Sequence, residues 1–456
     1  MFKSFNSGGT PEGPLLLKLS SKTIIAPATA PGRGGISVIR MSGTRSKSIA
    51  SKMCGELAES WRFKKCSIRS KAGSILDTGM VVLFESPHSY TGEDVIEFHC
   101  HGNPSIVDLV MDVAMDYGAV VAEPGEFTKV AFQNDKIDLL KAESIGDLIH
   151  AETELQRKQA VKLIQGNASS YYNDLREKLI KSLSYIEAKI DFAEDDLPEK
   201  VLKEVQNSIK DIHQDIKKIL EDNKVGEKIR DGFKVSITGE VNAGKSSLLN
   251  LLSKREVAIV SEEEGTTRDV IETFLNIDGY PVILADTAGI REAKNEVEKK
   301  GISLALGKSK EADLNIIVID NSSKIINTEI KDLVNKDSIV LLNKSDIKEN
   351  QNHKFDADTI LVSVKNNKNI DILIKKIKEK LSKKFTSNNS ALITRERHRV
   401  KLNDCLKEID EFLKKDQNKD IELAAEDLRM ATRHLGSIVG KVDVEEILGS
   451  IFKDFC

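Results

Sequence analysis

The chain has 456 residues, a formal net charge of −4 at pH 7 and a sequence pI of about 6.2. One hydrophobic core rarely organises a chain of this length, so the sequence predicts two or three domains. The near-balanced charge excludes a broadly basic coat for nucleic acid, so any RNA contact must be a local patch or be supplied by a partner.

Residues 1–21 form a turn-rich start without a periodic pattern. They lack the apolar core followed by small residues that marks a signal peptide, and no apolar run elsewhere is long enough to span a bilayer. The five cysteines show no paired spacing, which is typical of a reducing cytosol. We therefore expect a disordered leader, with a transit peptide as the alternative, on a cytoplasmic protein without stable membrane insertion.

Residues 22–137 alternate β-rich runs with Gly and Pro turns, a pattern that predicts an α+β domain. We expect strands over 23–26, 36–41, 79–84 and 95–100, and one helix near 107–117. The triplet His99-Cys100-His101 invites a metal interpretation. Adjacent strand residues point to opposite faces, however, so three consecutive ligands are not expected.

Residues 138–230 and 386–456 show helical periodicity. In the first segment, apolar residues at three- and four-residue spacing form one stripe: Val205, Ile209, Ile212, Ile216 and Ile219. In the second, the apolar markers are Leu423, Leu428, Leu435, Ile438, Ile447, Leu448 and Ile451. Because residues 231–385 between them carry a complete sheet pattern, we expect one discontinuous helical domain that hosts an inserted α/β domain.

The inserted domain carries five nucleotide-site motifs in a fixed order. The first fits Gly-x-x-x-x-Gly-Lys-Ser, a loop whose backbone N–H groups wrap phosphate oxygens between a strand and a helix N-terminus. In chain order the motifs are Gly239-Glu240-Val241-Asn242-Ala243-Gly244-Lys245-Ser246, Gly265-Thr266-Thr267-Arg268-Asp269, Asp286-Thr287-Ala288-Gly289, Asn343-Lys344-Ser345-Asp346 and Ser363-Val364-Lys365. The sequence also predicts apolar strands over 233–238, 282–285, 314–319 and 339–342. Together with the order of the motifs, these strands predict a Ras-like P-loop GTPase domain on a mainly parallel sheet.

Each motif has an expected task. Lys245 should reach the β- and γ-phosphates, the Ser246 hydroxyl should ligate Mg²⁺, and Asp286 should hold the Mg²⁺ shell through water. Asp346 can accept hydrogen bonds from the N–H and NH2 edge of guanine, a donor pair that adenine lacks. The sequence therefore predicts binding of GTP.

The group that positions the attacking water is left open by the residues. Ras-like GTPases place a glutamine after the third motif, where this chain has Ile290, which neither donates nor accepts a hydrogen bond. One candidate is the carboxylate of Glu298, which on spacing alone reads as a solvated helix residue. The other is Asn242, whose amide oxygen could hold a monovalent cation beside the phosphates.

These and other dispersed motifs resemble the MnmE (TrmE) family of tRNA modification GTPases. In the GTPase part the likeness includes the loop from Asn242 to Ser247 and the Glu-Val-Glu that ends at Glu298. Outside it, the motifs are Pro31-Gly32-Arg33-Gly34-Gly35, Ser89-Tyr90-Thr91-Gly92-Glu93-Asp94, Pro124-Gly125-Glu126-Phe127-Thr128, Asn134-Asp135-Lys136-Ile137-Asp138-Leu139, Leu435-Gly436 and Ile451-Phe452-Lys453-Asp454-Phe455-Cys456. The likeness covers nearly everything from Lys22 onward.

The resemblance implies that residues 22–137 form a folate-binding and dimerisation domain. Arg40, Glu97 and Lys136 would contact 5-formyl- or 5,10-methylene-tetrahydrofolate, since a cation can pair with the glutamate tail and a carboxylate can hydrogen-bond the pterin. On spacing alone, Arg40 reads as a strand-end surface charge and Lys136 as a turn residue.

The resemblance also assigns the ions and the catalytic groups. K⁺ would be held by Asn242, Ser261, Glu263 and Thr266, and Mg²⁺ by Ser246 and Thr267. Glu298 would orient water, with Lys245 and Thr267 also catalytic. The complete GTP site would then comprise Asn242, Ala243, Gly244, Lys245, Ser246, Ser247, Ser261, Glu262, Glu263, Glu264, Gly265, Thr266, Thr267, Asp286, Thr287, Ala288, Gly289, Asn343, Lys344, Asp346, Ser363, Val364 and Lys365.

We therefore expect a K⁺-stimulated GTP hydrolase that acts with an FAD-containing, MnmG-like partner in a heterotetramer. The pair would form carboxymethylaminomethyl or aminomethyl uridine at the tRNA wobble position, with methylene-tetrahydrofolate as the carbon source. The alternative is an Era-like regulatory switch without modification chemistry, which would carry a C-terminal basic RNA-binding module. A binding scaffold without turnover is disfavoured by the intact Lys245, Ser246 and Asp286.

Two positions depart from the family pattern. The chain stops at Cys456, where relatives usually continue Ile-Gly-Lys, a difference that bears on modification activity rather than on GTP hydrolysis. Val130 stands where relatives commonly have arginine, and the residues offer no account of this change.

Overall fold

The computed structural model describes residues 22–191, 199–240, 242–255, 258–259, 272–286, 311–323, 328–347, 355–385, 392–416 and 419–442. The chain divides into two compact units, of which the first contains residues 22–138 and the second residues 139–442 over these ranges. Across the described ranges, no helix combines the length and apolar character that a membrane span requires.

The first unit is a six-stranded sheet in the order β3-β4-β5-β2-β1-β6. Neighbouring strands are antiparallel except for the parallel pair β1–β6. The strands are β1 Ile24–Pro27, β2 Gly34–Ser42, β3 Lys64–Arg69, β4 Ile75–Phe84, β5 Val95–Gly102 and β6 Val120–Val121. The helices are α1 Ser46–Cys54, α2 Pro104–Asp116 and α3 Glu126–Gln133. The four strands and the helix near 107–117 that the sequence predicts are all present, but α1, β3, β6 and α3 were not anticipated.

Alternation along β2 gives each face of this sheet a different role. Ile39 and Met41 are fully buried in the core with α1 and α2, so Arg40 between them points to the opposite face. In the antiparallel register Arg40 lies directly opposite Glu97 of β5. The interpretation of Arg40 as a surface charge is therefore wrong, because its side chain is only 28% exposed and pairs across the strands.

The second unit begins with helices. They are α4 Leu139–Ile149, α5 Glu154–Ile164, α6 Asn167–Asp191, α7 Glu199–Leu220 and α8 Val225–Asp231. The stripe predicted on α7 is confirmed, since all five of its residues are buried in one core with Tyr172 and Leu179 of α6. Helix α8 then leads into the inserted sheet.

That sheet has seven strands in the order β13-β12-β11-β7-β10-β9-β8. The run from β13 to β10 is parallel, and β9 is antiparallel to both of its neighbours. The strands are β7 Phe233–Gly239, β8 Ala258–Ile259, β9 Glu272–Ile277, β10 Tyr280–Asp286, β11 Leu314–Asp320, β12 Ile339–Asn343 and β13 Asp358–Leu361. Helices α9 Lys245–Arg255, α10 Thr328–Lys331 and α11 Ile370–Phe385 accompany them.

Burial on both faces explains the continuous apolar runs of the central strands. On β11, Ile316 and Val318 pack into one core, whereas Ile317 and Ile319 pack into another on the opposite face. A strand covered on both sides has no polar face to alternate with, as in other parallel α/β sheets. The predicted fold class, an α+β unit and a helical domain with an inserted P-loop α/β domain, is confirmed.

The chain then returns to the helical core through α12 Glu396–Lys414 and α13 Ile421–Val439. Leu428, Leu435 and Ile438 are buried there as predicted. Leu423 is not, because it is 59% exposed while the adjacent Ala424 and Ala425 take the buried positions of the α13 stripe. Ile447, Leu448 and Ile451 lie outside the described residues.

A buried cluster of charges joins α8, where the chain leaves the helical domain for the sheet, to α12, where it returns. Arg399 of α12 donates to Glu227 of α8, with 2.6 Å between Nη2 and Oε2, and also to Asp222 at 2.8 Å. Both Glu227 and Arg399 are more than nine-tenths buried. The departing and returning segments are therefore held side by side, as an insertion with neighbouring ends requires.

Glu143 of α4 is the centre of a second buried group. Its other members, Arg397 and His398, lie on α12. Arg397 donates to both of its carboxylate oxygens, at 2.6 and 2.7 Å, and the fully buried His398 lies 3.0 Å from Oε2 through Nε2. Burial alone would raise the pKa of Glu143, but His398 and Arg397 hold it well below its usual range. Burial and the charge of Arg397 lower the pKa of His398 to about 4, so at neutral pH His398 is uncharged and contributes a hydrogen bond rather than a charge.

Candidate functional site

The phosphate loop is built where β7 ends and α9 begins. Gly244 has a φ of 102°, and a Cβ there would come within 2.3 Å of Nδ2 of Asn343, so only glycine fits this position. Asn242 has a φ of 60°, a left-handed conformation that asparagine tolerates better than most residues. The ammonium of Lys245 donates to the carbonyls of Gly239 at 2.9 Å and Glu240 at 2.7 Å. The turn therefore holds its shape before the first turn of a helix, where N–H groups favour an anion.

Asn343 ties three of the five motifs together. Its Nδ2 donates to the carbonyl of Ala243 at 2.7 Å, and its Oδ1 accepts from the backbone N–H of Val364 at 3.0 Å. The side chain is 3% exposed, and both hydrogen bonds are buried. The fourth motif therefore sets the position of the first and the fifth.

Asp346, the residue predicted to read the base, is also held in place. Oδ1 of Asp346 accepts from the hydroxyl of Ser363 at 2.6 Å. This hydrogen bond, with smaller contributions from Lys365 and Lys344, holds the pKa of Asp346 below its usual value, so the side chain is an ionised acceptor at neutral pH. Lys344, at a φ of 63°, pairs with Asp320 at 2.6 Å across the ends of β11 and β12. An oriented carboxylate next to a fixed lysine suits the donor edge and the flat face of a guanine.

A cavity of about 650 Å³ connects the phosphate loop with the base-reading residues, and we name it the α9 cavity. Its size is within the usual range for small-molecule sites. The predicted site residues that line it are Asn242, Gly244, Ser247, Asn343, Lys344, Asp346, Val364 and Lys365. Ala243 and Ser363 are fully buried and act through the contacts above, while Lys245 and Ser246 form the first turn of α9.

Four further lining residues were missed from the sequence, namely Asn250, Leu251, Lys254 and Ile347. Three of them follow Ser247 on α9 at three- and four-residue spacing, so they share one face of the helix. That periodicity, extended from the phosphate loop along α9, is the signal that could have found them.

The remaining predicted residues cannot be placed. Of Asp286 only the backbone is described, at the end of β10. The following lie outside the described residues: Ser261, Glu262, Glu263, Glu264, Gly265, Thr266, Thr267, Thr287, Ala288, Gly289 and Glu298. The assignments of the water-orienting carboxylate and of the K⁺ and Mg²⁺ ligands stay predictions.

In the first unit, Arg40 and Glu97 form one ion pair. Nη2 of Arg40 lies 2.7 Å from Oε1 of Glu97, and Nε donates to the same oxygen at 2.9 Å. The guanidinium also lies 5.4 Å from the ring centre of Tyr90 and 5.8 Å from that of Phe127. These aromatic rings are the partners that sequence reasoning missed, although each belongs to one of the dispersed motifs. Arg40 is thus held between two rings and a carboxylate, a geometry that fixes its orientation.

Lys136 contacts residues 87–92, the loop that carries Tyr90. Its Nζ donates to the carbonyl of Pro87 at 2.8 Å, and its stem packs so closely that a Cβ on Gly92 would lie 3.1 Å from Cδ. Lys136 and Tyr90 are therefore joined through residues 87–92. Of the histidines considered above, His99 packs edge-on against Phe63 and His101 pairs with Asp77 at 2.8 Å. Among the described residues, no group of three metal-ligating side chains occurs.

Comparisons with known proteins agree with this arrangement. Residues 139–456 match the family model of the MnmE helical domain, and residues 23–136 match that of the GTP-binding protein TrmE N-terminus. The tRNA modification GTPase MnmE of Pelagibacter ubique is 52% identical over 439 residues, which cover 95% of this chain and 99% of that protein. The proteins of the same name from Rickettsia bellii and Paramagnetospirillum magneticum are 42% and 39% identical, over 95% and 96% of this chain and 99% of each relative.

Solved structures give weaker likenesses. The G domain of the T. maritima FeoB iron transporter is 24% identical with a TM-score of 0.26, over 33% of this chain and 98% of that one. A GTP-binding protein from Sulfolobus solfataricus in complex with GDP is 16% identical with a TM-score of 0.26, over 62% of this chain and 78% of that one.

Proposed function

The chain belongs to the MnmE family of tRNA modification GTPases, and on that premise we propose that it hydrolyses GTP in the α9 cavity as one step of tRNA wobble-uridine modification in the cytoplasm. One observation carries the proposal. Asn343 hydrogen-bonds both the phosphate loop and the residue after Ser363, whose hydroxyl orients Asp346. A single buried side chain thereby fixes the distance between a phosphate site and a guanine acceptor.

Hydrolysis would proceed by direct attack of water on the γ-phosphate without a covalent intermediate. The chain's own groups would bind and orient GTP, with Asp346 on the base, the N–H groups before α9 on the phosphates and Lys245 on the β- and γ-oxygens. Glu298 would position the attacking water, as the family resemblance implies. Positioning and charge stabilisation account for most of the catalysis of phosphoryl transfer.

The donor types present suit two cations. The Ser246 hydroxyl is a hard oxygen ligand of the kind Mg²⁺ prefers, and Thr267 would be the second. The amide oxygen of Asn242 is a comparable ligand for K⁺, together with Ser261, Glu263 and Thr266. Such ions would neutralise the negative charge that accumulates on the phosphate oxygens during transfer.

The first unit would contribute a folate site in a homodimer. Arg40 held by Glu97, and Lys136 held by Pro87, are the cations we assign to 5-formyl- or 5,10-methylene-tetrahydrofolate. Arg40→Ala should weaken binding of 5-formyl-tetrahydrofolate in calorimetry, because the charge-assisted pair between the guanidinium and the glutamate tail of the folate is lost. Arg69→Ala is the matched control, since Arg69 is exposed and its guanidinium donates to the carbonyl of Gly73 in the turn between β3 and β4. Equal weakening in both variants would refute the folate assignment.

Mass spectrometry of tRNA wobble nucleosides tests the whole proposal. A strain that lacks this chain should lose carboxymethylaminomethyl- or aminomethyl-type uridines, and the intact gene should restore them. An FAD-containing, MnmG-like partner in a heterotetramer should then co-purify with the chain and with tRNA. Unchanged wobble nucleosides together with intact GTP hydrolysis would favour an Era-like regulatory switch instead.

A further inference from the structure

Two thiols of the first unit lie in contact. Sγ of Cys54 and Sγ of Cys66 are 3.2 Å apart. Cys54 is the last residue of α1 and is half-buried, while Cys66 lies in β3 and is 7% exposed. Because β3 is an edge strand of the sheet, only β4 flanks it on the sheet plane. The packing of α1 on this edge is what brings together two cysteines that are twelve positions apart in the chain.

The two thiols differ in their readiness to lose a proton. The hydrogen bond they share, together with burial, raises the pKa of Cys54. The same hydrogen bond lowers the pKa of Cys66 in spite of its burial, and the nearby charge of Lys64 acts in the same direction. A thiolate is the nucleophilic form of cysteine, so Cys66 is the sulfur that would react first and Cys54 the one that would follow.

We propose that Cys54 and Cys66 form a redox-active dithiol that closes to an intrachain disulfide when it meets hydrogen peroxide. The Cys66 thiolate attacks one peroxide oxygen, the O–O bond breaks, and the departing hydroxide takes a proton to become water. The Cys66 sulfenic acid is then attacked by the sulfur of Cys54, the S–O bond breaks, and the departing hydroxide leaves with the Cys54 proton as a second water. Two thiols are oxidised by two electrons and hydrogen peroxide is reduced by two. The sulfurs must approach from 3.2 Å to about 2.0 Å.

The disulfide would close a ring around the loop between α1 and β3. That loop carries Trp61, 63% exposed and edge-on to Phe84 at 4.6 Å, and Phe63, 56% exposed and edge-on to His99 at 5.1 Å. His99 in turn lies 3.5 Å from Glu97, the partner of Arg40. Oxidation would therefore restrain the segment that borders the Arg40–Glu97 pair.

The chain carries its own reporters for this reaction. Trp61 is the single tryptophan of the sequence, so fluorescence excited selectively at tryptophan reports on this loop. Trp61 and Phe63 are also chymotrypsin sites, and a closed ring should slow cleavage there. Five cysteines in total give a thiol count that changes by a known amount.

The test uses the purified full-length chain, treated with hydrogen peroxide and then denatured. We expect the titratable thiols to fall from five to three, a linked peptide containing Cys54 and Cys66, and several-fold slower cleavage at Trp61 and Phe63. Dithiothreitol should reverse all three. Cys54→Ala should abolish the linked peptide. Cys405→Ala is the matched control, because Cys405 is fully buried in the helical core, and it should behave like the unaltered chain.

An unchanged thiol count, or linked peptides that join other cysteines, would overturn the proposal. Peptide mapping of the unaltered chain decides this without any variant, so a misfolded Cys54→Ala protein leaves the test intact. GTP hydrolysis is measured in parallel, and it should be unaffected by peroxide over the same interval. The failure of the dithiol and the failure of the proposed function are therefore separable.

Discussion

Replacement of Asn343 by alanine tests how the nucleotide motifs are joined. The variant removes two buried hydrogen bonds, of 2.7 Å to Ala243 and 3.0 Å to Val364. It leaves one carbonyl and one N–H without a partner, and each unsatisfied buried group costs about 1–3 kcal/mol. Water can enter from the adjoining α9 cavity and recover part of this loss. We therefore expect a total penalty of about 2–4 kcal/mol.

The penalty is shared between folding and binding, so both must be measured. Urea denaturation gives the change in the free energy of unfolding, and titration with a fluorescent GTP analogue gives the change in Kd. If the whole penalty fell on binding, affinity would drop roughly 30- to 1,000-fold, at about 1.4 kcal/mol per tenfold. Asn403→Ala is the control, because its amide also donates to a backbone carbonyl, that of Arg399, but within helix α12. Summed losses below about 0.5 kcal/mol for Asn343→Ala would refute this role for the side chain.

Further predictions concern the base, the ions, the water and pH. Asp346→Asn should weaken GTP binding and favour xanthosine triphosphate, because the mutant amide no longer accepts both guanine donors, and unchanged GTP affinity in a filter-binding assay would contradict it. If Asn242 helps to hold K⁺, turnover measured by phosphate release should be faster in KCl than in NaCl at equal ionic strength, and equal rates would exclude a K⁺ site. Glu298→Ala should lower kcat by about 10²–10⁴ with nearly unchanged GTP affinity, and an unchanged kcat would exclude Glu298 as the group that positions water. Because the pKa of His398 is lowered from 6.5 to about 4, the native state is stabilised above pH 6.5 and loses on the order of 3 kcal/mol as pH falls to 4, a slope that His398→Gln should flatten in urea denaturation.

The local sequence pattern was enough to predict the elements whose buried residues recur with a single helical or strand period. The strands β7, β10, β11 and β12 were predicted because a strand buried on both faces is apolar throughout, and the α7 stripe because one face of a long helix meets the core. The phosphate loop was recognisable because its backbone geometry demands glycines at set positions. In these cases the residues that determine the structure lie close together in the chain.

What the sequence did not show depends on pairs that are far apart in the chain. Asn343 reads as part of a base-binding motif, and its hydrogen bond to Ala243, one hundred positions away, follows only from the parallel packing of β12 and β7 around β11. Arg40 looked like a surface charge because its partner Glu97 is brought opposite by strand register. Strand β3 was missed since Lys64–Arg69 is mostly polar and lies at the sheet edge. The error at Leu423 arose from the first turn of α13, where small alanines rather than the larger leucine face the core.

The pairing of Glu227 with Arg399 has a consequence for how the second unit assembles. The two residues are 172 positions apart, and closing so long a loop in a disordered chain costs roughly 4–5 kcal/mol of entropy. A folded nucleotide-binding sheet already holds its first and last segments close together, so most of that entropy is lost before the helices meet. Helices α8 and α12 can then join almost as if they were consecutive. Nucleotide that stabilises the folded sheet should for this reason also stabilise the helical core.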